Sequence, residues 1–192
     1  MVNEIKNILR ILIENRQENW NIRKLSKIRK INYKSAYNAI MALEKQGAIR
    51  LQSLGNTTIC SFSNKFSPLV FEAEYERRND LIKDKNFKII YSRLNELKYP
   101  FVSLLFGSWA KKTASKNSDI DILFIVSDEK TEKELRHEIS LIPLEIHATF
   151  VNYKDFINMA NSREFSVVTE AIKKNIILTG IEEYYRILEY VR

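Results

Sequence analysis

Two short apolar runs, Phe101–Phe106 and Ile122–Val126, flank a polar segment that opens on Gly107-Ser108 and closes on Ser118-Asp119-Ile120-Asp121. Nearly continuous apolar runs of this length are the pattern of buried strands. A backbone turning from strand to helix at Gly107 aims free amides and the positive end of a helix dipole at one spot, which suits a phosphate. The missing Cβ at Gly107 lets that phosphate come close, Ser108 adds a hydroxyl donor, and Lys111 and Lys112 add charge. Along a strand, residues two apart share a face. Asp119 and Asp121 therefore project side by side while Ile120 and Ile122 enter the core. Adjacent carboxylates repel unless a cation lies between them. Two divalent ions about 3.5–4 Å apart, held in this way, are the usual device for in-line phosphoryl or nucleotidyl transfer.

The pattern G-S-x-A-K-x-x-A-x-x-x-S-D-I-D is carried here by Gly107, Ser108, Ala110, Lys111, Ala114, Ser118, Asp119, Ile120 and Asp121. It resembles the minimal nucleotidyltransferases of the polymerase-beta superfamily. The resemblance implies a small mixed sheet flanked by helices. It also implies that Gly107 and Ser108, with Lys111, Lys112 and Ser118, hold a nucleoside triphosphate (ATP among the candidates), and that Asp119 and Asp121 bind Mg²⁺ or Mn²⁺. One position departs: the family commonly has a second glycine where this chain has Lys112. Active members usually add a third catalytic carboxylate from a neighbouring strand. The segment "LIPLEIHATF", residues 141–150, is the expected source. Alternation places Ile142, Leu144, Ile146 and Ala148 on one face and Glu145, His147 and Thr149 on the other. Glu145 is the candidate ligand or base, with His147 as the alternative base near neutral pH; a merely solvated strand face is the competing reading of Glu145. Pro143 marks the strand as an edge. His137 is expected on the surface of a helix, and no CxxC or HExxH cluster occurs.

Net charge divides the chain. Residues 1–64 hold 11 Lys+Arg and 4 Asp+Glu, whereas the remaining 20 Lys+Arg and 20 Asp+Glu cancel, so the whole excess of +7 lies in the first third. Such an excess points to a polyanionic partner. Periodicity predicts a helix from about Val2 to Arg16 with Ile5, Leu9, Leu12 and Ile13 on one face. A short helix over 22–28 follows, with Ile22, Leu25 and Ile28 inward and Arg23, Lys24 and Lys27 outward. A third runs to about Gln46, with Ala36, Ala39, Ile40 and Leu43 inward and Gly47 as its stop. The segments "AIRLQSL" and "TTICSF" then form a hairpin about Gly55-Asn56. This run resembles the winged helix domains of transcription regulators. The resemblance implies that the third helix enters the major groove of double-stranded DNA. Tyr33, Lys34, Ser35, Tyr37 and Asn38 would then lie on the reading face, with Lys30 and Lys34 on phosphates. A winged helix that only pairs proteins is the alternative.

A mixed-charge helical linker over 65–85 leads, through a helix with Phe87, Ile90, Leu94 and Leu97 on one face, into the second unit. After residue 150 the pattern predicts two helices, a strand at Ile176–Leu178 and a last helix beyond Gly180, with Tyr184, Tyr185 and Tyr190 mainly in packing. The expected fold is thus α+β: a winged helix-turn-helix domain (1–64), the linker, and a nucleotidyltransferase domain with C-terminal helices (86–192). With 45% hydrophobic and 29% charged residues the chain is globular rather than disordered. No apolar run approaches the ~20 residues of a membrane span, and the charged first helix does not read as a secretion signal. A lone cysteine, Cys60, excludes an intramolecular disulfide and suits a reducing cytoplasm.

Two functions compete. One is Mg²⁺- or Mn²⁺-dependent transfer of a nucleoside monophosphate from an NTP to an acceptor hydroxyl on a protein, a nucleic acid such as tRNA, or a small molecule. The other is a DNA-binding regulator whose nucleotidyltransferase fold senses nucleotide without turnover. A homodimer is compatible with either.

Overall fold

The computed structural model describes residues 2–115, 118–162 and 164–191. The chain divides into two compact units, residues 1–75 and 76–192.

The first unit begins with α1 (Val2–Glu14), whose Ile8, Leu9, Leu12 and Ile13 are buried. A two-residue strand β1 (Trp20–Asn21) follows, then α2 (Ile22–Arg29), α3 (Tyr33–Lys45), β2 (Ile49–Leu54) and β3 (Thr57–Phe62). Asparagines start both inner helices. The Asn21 side chain accepts the Lys24 amide at 2.8 Å, and Asn32 accepts the Ser35 amide at 2.8 Å, each satisfying an otherwise orphaned donor. β2 and β3 pair antiparallel, and β1 adds to the other side of β3 through Trp20↔Cys60 and Asn21↔Ile59. The sequence offers no periodicity over two residues, so β1 was not foreseen; Trp20, 4% exposed, is its one signal. Ile28 is a correction. It is half exposed rather than inward, because the buried stripe runs through Ile22, Leu25 and Ser26 and leaves Ile28 outside that arc.

The helix α4 (Pro68–Leu81) carries the unit boundary, and Glu74 on its first half is fully buried against Arg16 at 3.2 Å. In the second unit α5 (Lys85–Glu96) and β4 (Val102–Leu105) precede a five-residue helix, α6 (Gly107–Lys111). Next come β5 (Ile120–Val126), α7 (Glu129–Ser140), β6 (Ile146–Asn152), α8 (Tyr153–Asn161), α9 (Val167–Lys173), β7 (Ile176–Thr179) and α10 (Ile181–Leu188). The sheet order is β6-β5-β4-β7, with β4 antiparallel to β5 and β7, and β6 parallel to β5.

Strand alternation divides the core. Ile120, Ile122 and Phe124 of β5 meet Phe87, Ile90 and Leu94 of α5 and Leu135 and Ile139 of α7. Leu123 and Ile125 are also buried, with α8 and α9 lying against β5 and α10 against β4. Side chains of this size stabilise by about 1.5–3 kcal/mol each when fully buried. Tyr184 and Tyr185 are wholly buried, and the Asn175 side chain donates to the Tyr184 hydroxyl at 3.0 Å. Tyr190, by contrast, is exposed.

The strand expected over 141–150 starts only at Ile146. Leu144 N–H donates to the Ile142 carbonyl at 2.8 Å in a tight turn, so Pro143 lies ahead of the strand rather than in it. A proline cannot donate to a ladder, and this one occupies a turn where no ladder bond is required. No described helix is long and apolar enough to cross a membrane.

Candidate active site

Sheet topology alone gathers the candidate residues at one end of the second unit. β4 ends where its antiparallel partner β5 begins, through Leu105↔Ile122, and β6 begins beside the same end of β5, through Ile120↔Ile146. Residues leaving β4, entering β5 and entering β6 therefore meet. Those residues are Gly107 and Ser108, Asp119 and Asp121, and Glu145 and His147.

Gly107 is buried and has φ +67°, a conformation that L side chains rarely adopt. A Cβ placed there would collide with the Asp121 carboxylate. Phe106 N–H donates to the Asp121 carbonyl at 3.0 Å, closing the same corner. Glycine at 107 thus first makes room for the second aspartate, a role the motif alone did not reveal.

Asp119, Glu145 and His147 each offer a ligand atom within 4.8 Å of the others'. His147 Nδ1 lies 3.8 Å from Asp119 Oδ2 and 3.8 Å from Asp121 Oδ1, so the imidazole stands between the two aspartates. Asp119, Glu145 and His147 are exposed, whereas Asp121 is half-buried. Burial raises the Asp121 carboxyl above its ordinary value; His147 and Lys111 pull it down, and Asp119 and Glu170 push it up. Several carboxylates crowded at a sheet end beside one imidazole are a donor set able to hold a divalent cation.

The basic residues are placed less simply. Lys111 Nζ lies 2.7 Å from Glu170 Oε1 on α9, and Glu170 also acts electrostatically on Asp121. Glu170 was missed in the sequence because nothing local ties α9 to the Asp-Ile-Asp strand. Lys112 adopts φ +60° at the C-terminal cap of α6, the left-handed conformation for which a glycine is the usual choice. Ser118 does not point its hydroxyl freely at a ligand: its Oγ accepts the Ser115 amide at 2.8 Å, and its carbonyl accepts Trp109 Nε1–H at 3.1 Å. Trp109 packs edge-on against Phe87 at 5.0 Å, which anchors the end of the loop to the core. His137 is exposed in the last turn of α7.

In the first unit Tyr33, Lys34, Tyr37 and Asn38 are exposed along the first turns of α3, and Tyr33 and Tyr37 stack at 6.5 Å. Lys30 is exposed at a left-handed turn, φ +52°, between α2 and α3. Ser35 is half-buried.

No curated protein matches the chain. The family described as polymerase beta, nucleotidyltransferase matches residues 88–184, just over half of the 192 residues and the whole of the sheet that builds this site. On that match, the chain belongs to the polymerase beta nucleotidyltransferase family.

Proposed function

We propose that the second unit transfers a nucleoside monophosphate from an NTP to an acceptor hydroxyl, using a divalent cation. The observation that carries this reading is the convergence of Asp119, Asp121, Glu145 and His147 beside the Gly107-Ser108 turn. Asp119 and Asp121, with Glu145 or His147, would hold Mg²⁺ or Mn²⁺; when bound, the cation neutralises charge developing on the transferred phosphoryl group and the leaving pyrophosphate. Gly107 and Ser108 present a backbone amide and a hydroxyl to the triphosphate. Lys111 reaches it by exchanging its Glu170 partner for phosphate. The acceptor oxygen attacks the α-phosphorus, the α–β phosphoanhydride bond breaks, and pyrophosphate departs. The hydroxyl proton passes to Glu145 or His147, the exposed bases of the cluster.

The first unit is read as a winged helix that binds double-stranded DNA. Support comes from the charge of +7 carried by residues 1–64 and from exposed Lys30, Tyr33, Lys34, Tyr37 and Asn38 at and just before the start of α3. Buried, unpaired Cys60 fits a reducing cytoplasm. One observation favours the sensing alternative: the Lys111–Glu170 pair occupies the lysine that a productive triphosphate needs.

The test mixes the full chain with Mg²⁺ or Mn²⁺ and each α-labelled NTP, and follows label on the protein, on tRNA and in a cell extract. Asp119→Asn is the control. Label transferred by the native chain and lost in the variant is the expected result. Metal-dependent nucleotide binding without any transfer would leave a nucleotide-sensing protein in its place.

A further inference from the structure

Building on the nucleotidyl-transfer reading, we infer that the acceptor is a protein segment. It docks as an added strand along the free edge of β6, with a basic stretch at one end and a serine, threonine or tyrosine hydroxyl at the other.

β6 is the edge of its sheet, and among the described residues only β5 pairs with it. The Ile120 amide donates to the Glu145 carbonyl at 3.3 Å, which sets the alternation of the parallel ladder. Backbone groups of Glu145, His147 and Thr149 therefore face β5, and those of Ile146, Ala148 and Phe150 face outward. Among the described residues, no other element bonds to these outward groups. An unpaired edge of this kind is a template for an extended peptide.

The edge begins at the reacting cluster. Glu145 immediately precedes β6 and His147 is its second residue, so a strand laid beside it brings one of its own side chains to the Asp119–Glu145–His147 group. On the α7 side, a groove of about 280 Å³ is lined by the apolar Ile139, Ile142, Leu144, Ile146, Ala148 and Phe150, with Arg136 and Ser140 at its polar margin, and would receive alternate apolar residues of the added strand. Phe150 also lines a second cavity of about 720 Å³ at the far end of β6. Asp128, Glu129, Glu132 and Asp155 line that cavity, and Lys154 is the one cation among its described lining residues. Glu132 is partly neutralised by Arg136 at 2.7 Å. This end repels a polyanion and attracts lysine or arginine. Seven residues of strand span roughly 20 Å at ~3.3 Å per residue, which sets the separation between hydroxyl and basic residues.

The experiment uses the full chain, Mn²⁺, α-labelled ATP and fluorescent peptides of about eight residues, a typical strand length. Each peptide has valine at alternate positions, tyrosine at one end and lysines at the other, made in both orders. Glutamate-for-lysine and backbone N-methylated versions are controls. Ala148→Pro removes an amide that faces away from β5, so the β5–β6 ladder keeps its bonds. Expected are label on the peptide tyrosine and roughly tenfold weaker binding, about 1.4 kcal/mol, in Ala148→Pro, in the N-methylated peptide and in the glutamate peptide. ATP binding should be retained in Ala148→Pro. Absent peptide binding, or binding indifferent to both Ala148→Pro and N-methylation, overturns the docking inference, and label appearing on tRNA instead would leave the transfer reading standing. Edge-dependent peptide binding with no label on any acceptor would sink the transfer reading and keep the docking surface. If Ala148→Pro does not fold, the N-methylated peptide decides the question with the native chain.

Discussion

Gly107 does two jobs with one missing atom. Its φ of +67° costs a side-chain-bearing residue roughly 1–2 kcal/mol, and a Cβ would displace the Asp121 carboxylate from its place beside His147. Gly107→Ala should therefore lower the melting temperature by several degrees, given ~4–8 °C per kcal/mol for domains of about 60–100 residues and ~2–4 °C for chains of about 150–250. It should also cut nucleotidyl transfer by more than roughly tenfold through misplacement of Asp121. Scanning calorimetry and the labelling assay check the two effects; a stable variant with full transfer would show that Asp121 tolerates the intrusion. Cys60 is a residue whose environment silences it. Burial pushes its thiol up to about 11, so it stays protonated and unreactive near neutral pH. At this scale much was legible. Glycine, serine and paired aspartates announce phosphate and metal chemistry by residue type and spacing. The collision between Gly107 and Asp121 was hidden, because it depends on two strands lying side by side.

At the scale of elements, α9 governs the basic side of the site. It begins with a reciprocal cap, in which Thr169 N–H donates to Ser166 Oγ at 3.1 Å and Ser166 N–H donates to Thr169 Oγ1 at 2.9 Å. It buries Val168 and Ala171, and so presents Glu170 to Lys111. Loss of an N-cap costs about 1 kcal/mol. Ser166→Ala should destabilise the protein by about that amount and, by loosening Glu170, alter the KM for NTP more than kcat. Chemical denaturation and steady-state kinetics would detect both; an unchanged KM would remove Glu170 from the site. Helices with clear apolar stripes, such as α1, α3 and α5, were readable from spacing, since burial of one face imposes a 3.6-residue period. Short elements were not. β1 has two residues, α6 has five, and the true start of β6 lies past a turn at Pro143, so each is set by its neighbours rather than by its own period.

The whole molecule separates charge by unit. The excess of +7 belongs to residues 1–64, within the first unit, and the carboxylate cluster belongs to the second. Two variants should therefore act independently. Lys30→Ala with Lys34→Ala should weaken DNA binding and flatten its salt dependence by about two units of slope or less, while leaving transfer intact; Asp119→Asn should do the reverse. Filter binding at several salt concentrations, run beside the labelling assay, tests this. Salt dependence unmoved by the double lysine change would place the DNA contact elsewhere. By itself, the sequence determined which side chains can do chemistry, which faces of the longer helices turn inward, and that buried strands lie in the 101–106 and 122–126 runs, whose bounds the structure sets at Val102–Leu105 and Ile120–Val126. Only the tertiary structure decided that Glu145 and His147 join Asp119 and Asp121, that Glu170 holds Lys111, and that β6 keeps an open edge. The reason is physical: local periodicity reports how one element buries its own face. Pairing and register between distant strands follow from the summed packing of the whole sheet, which no single segment encodes.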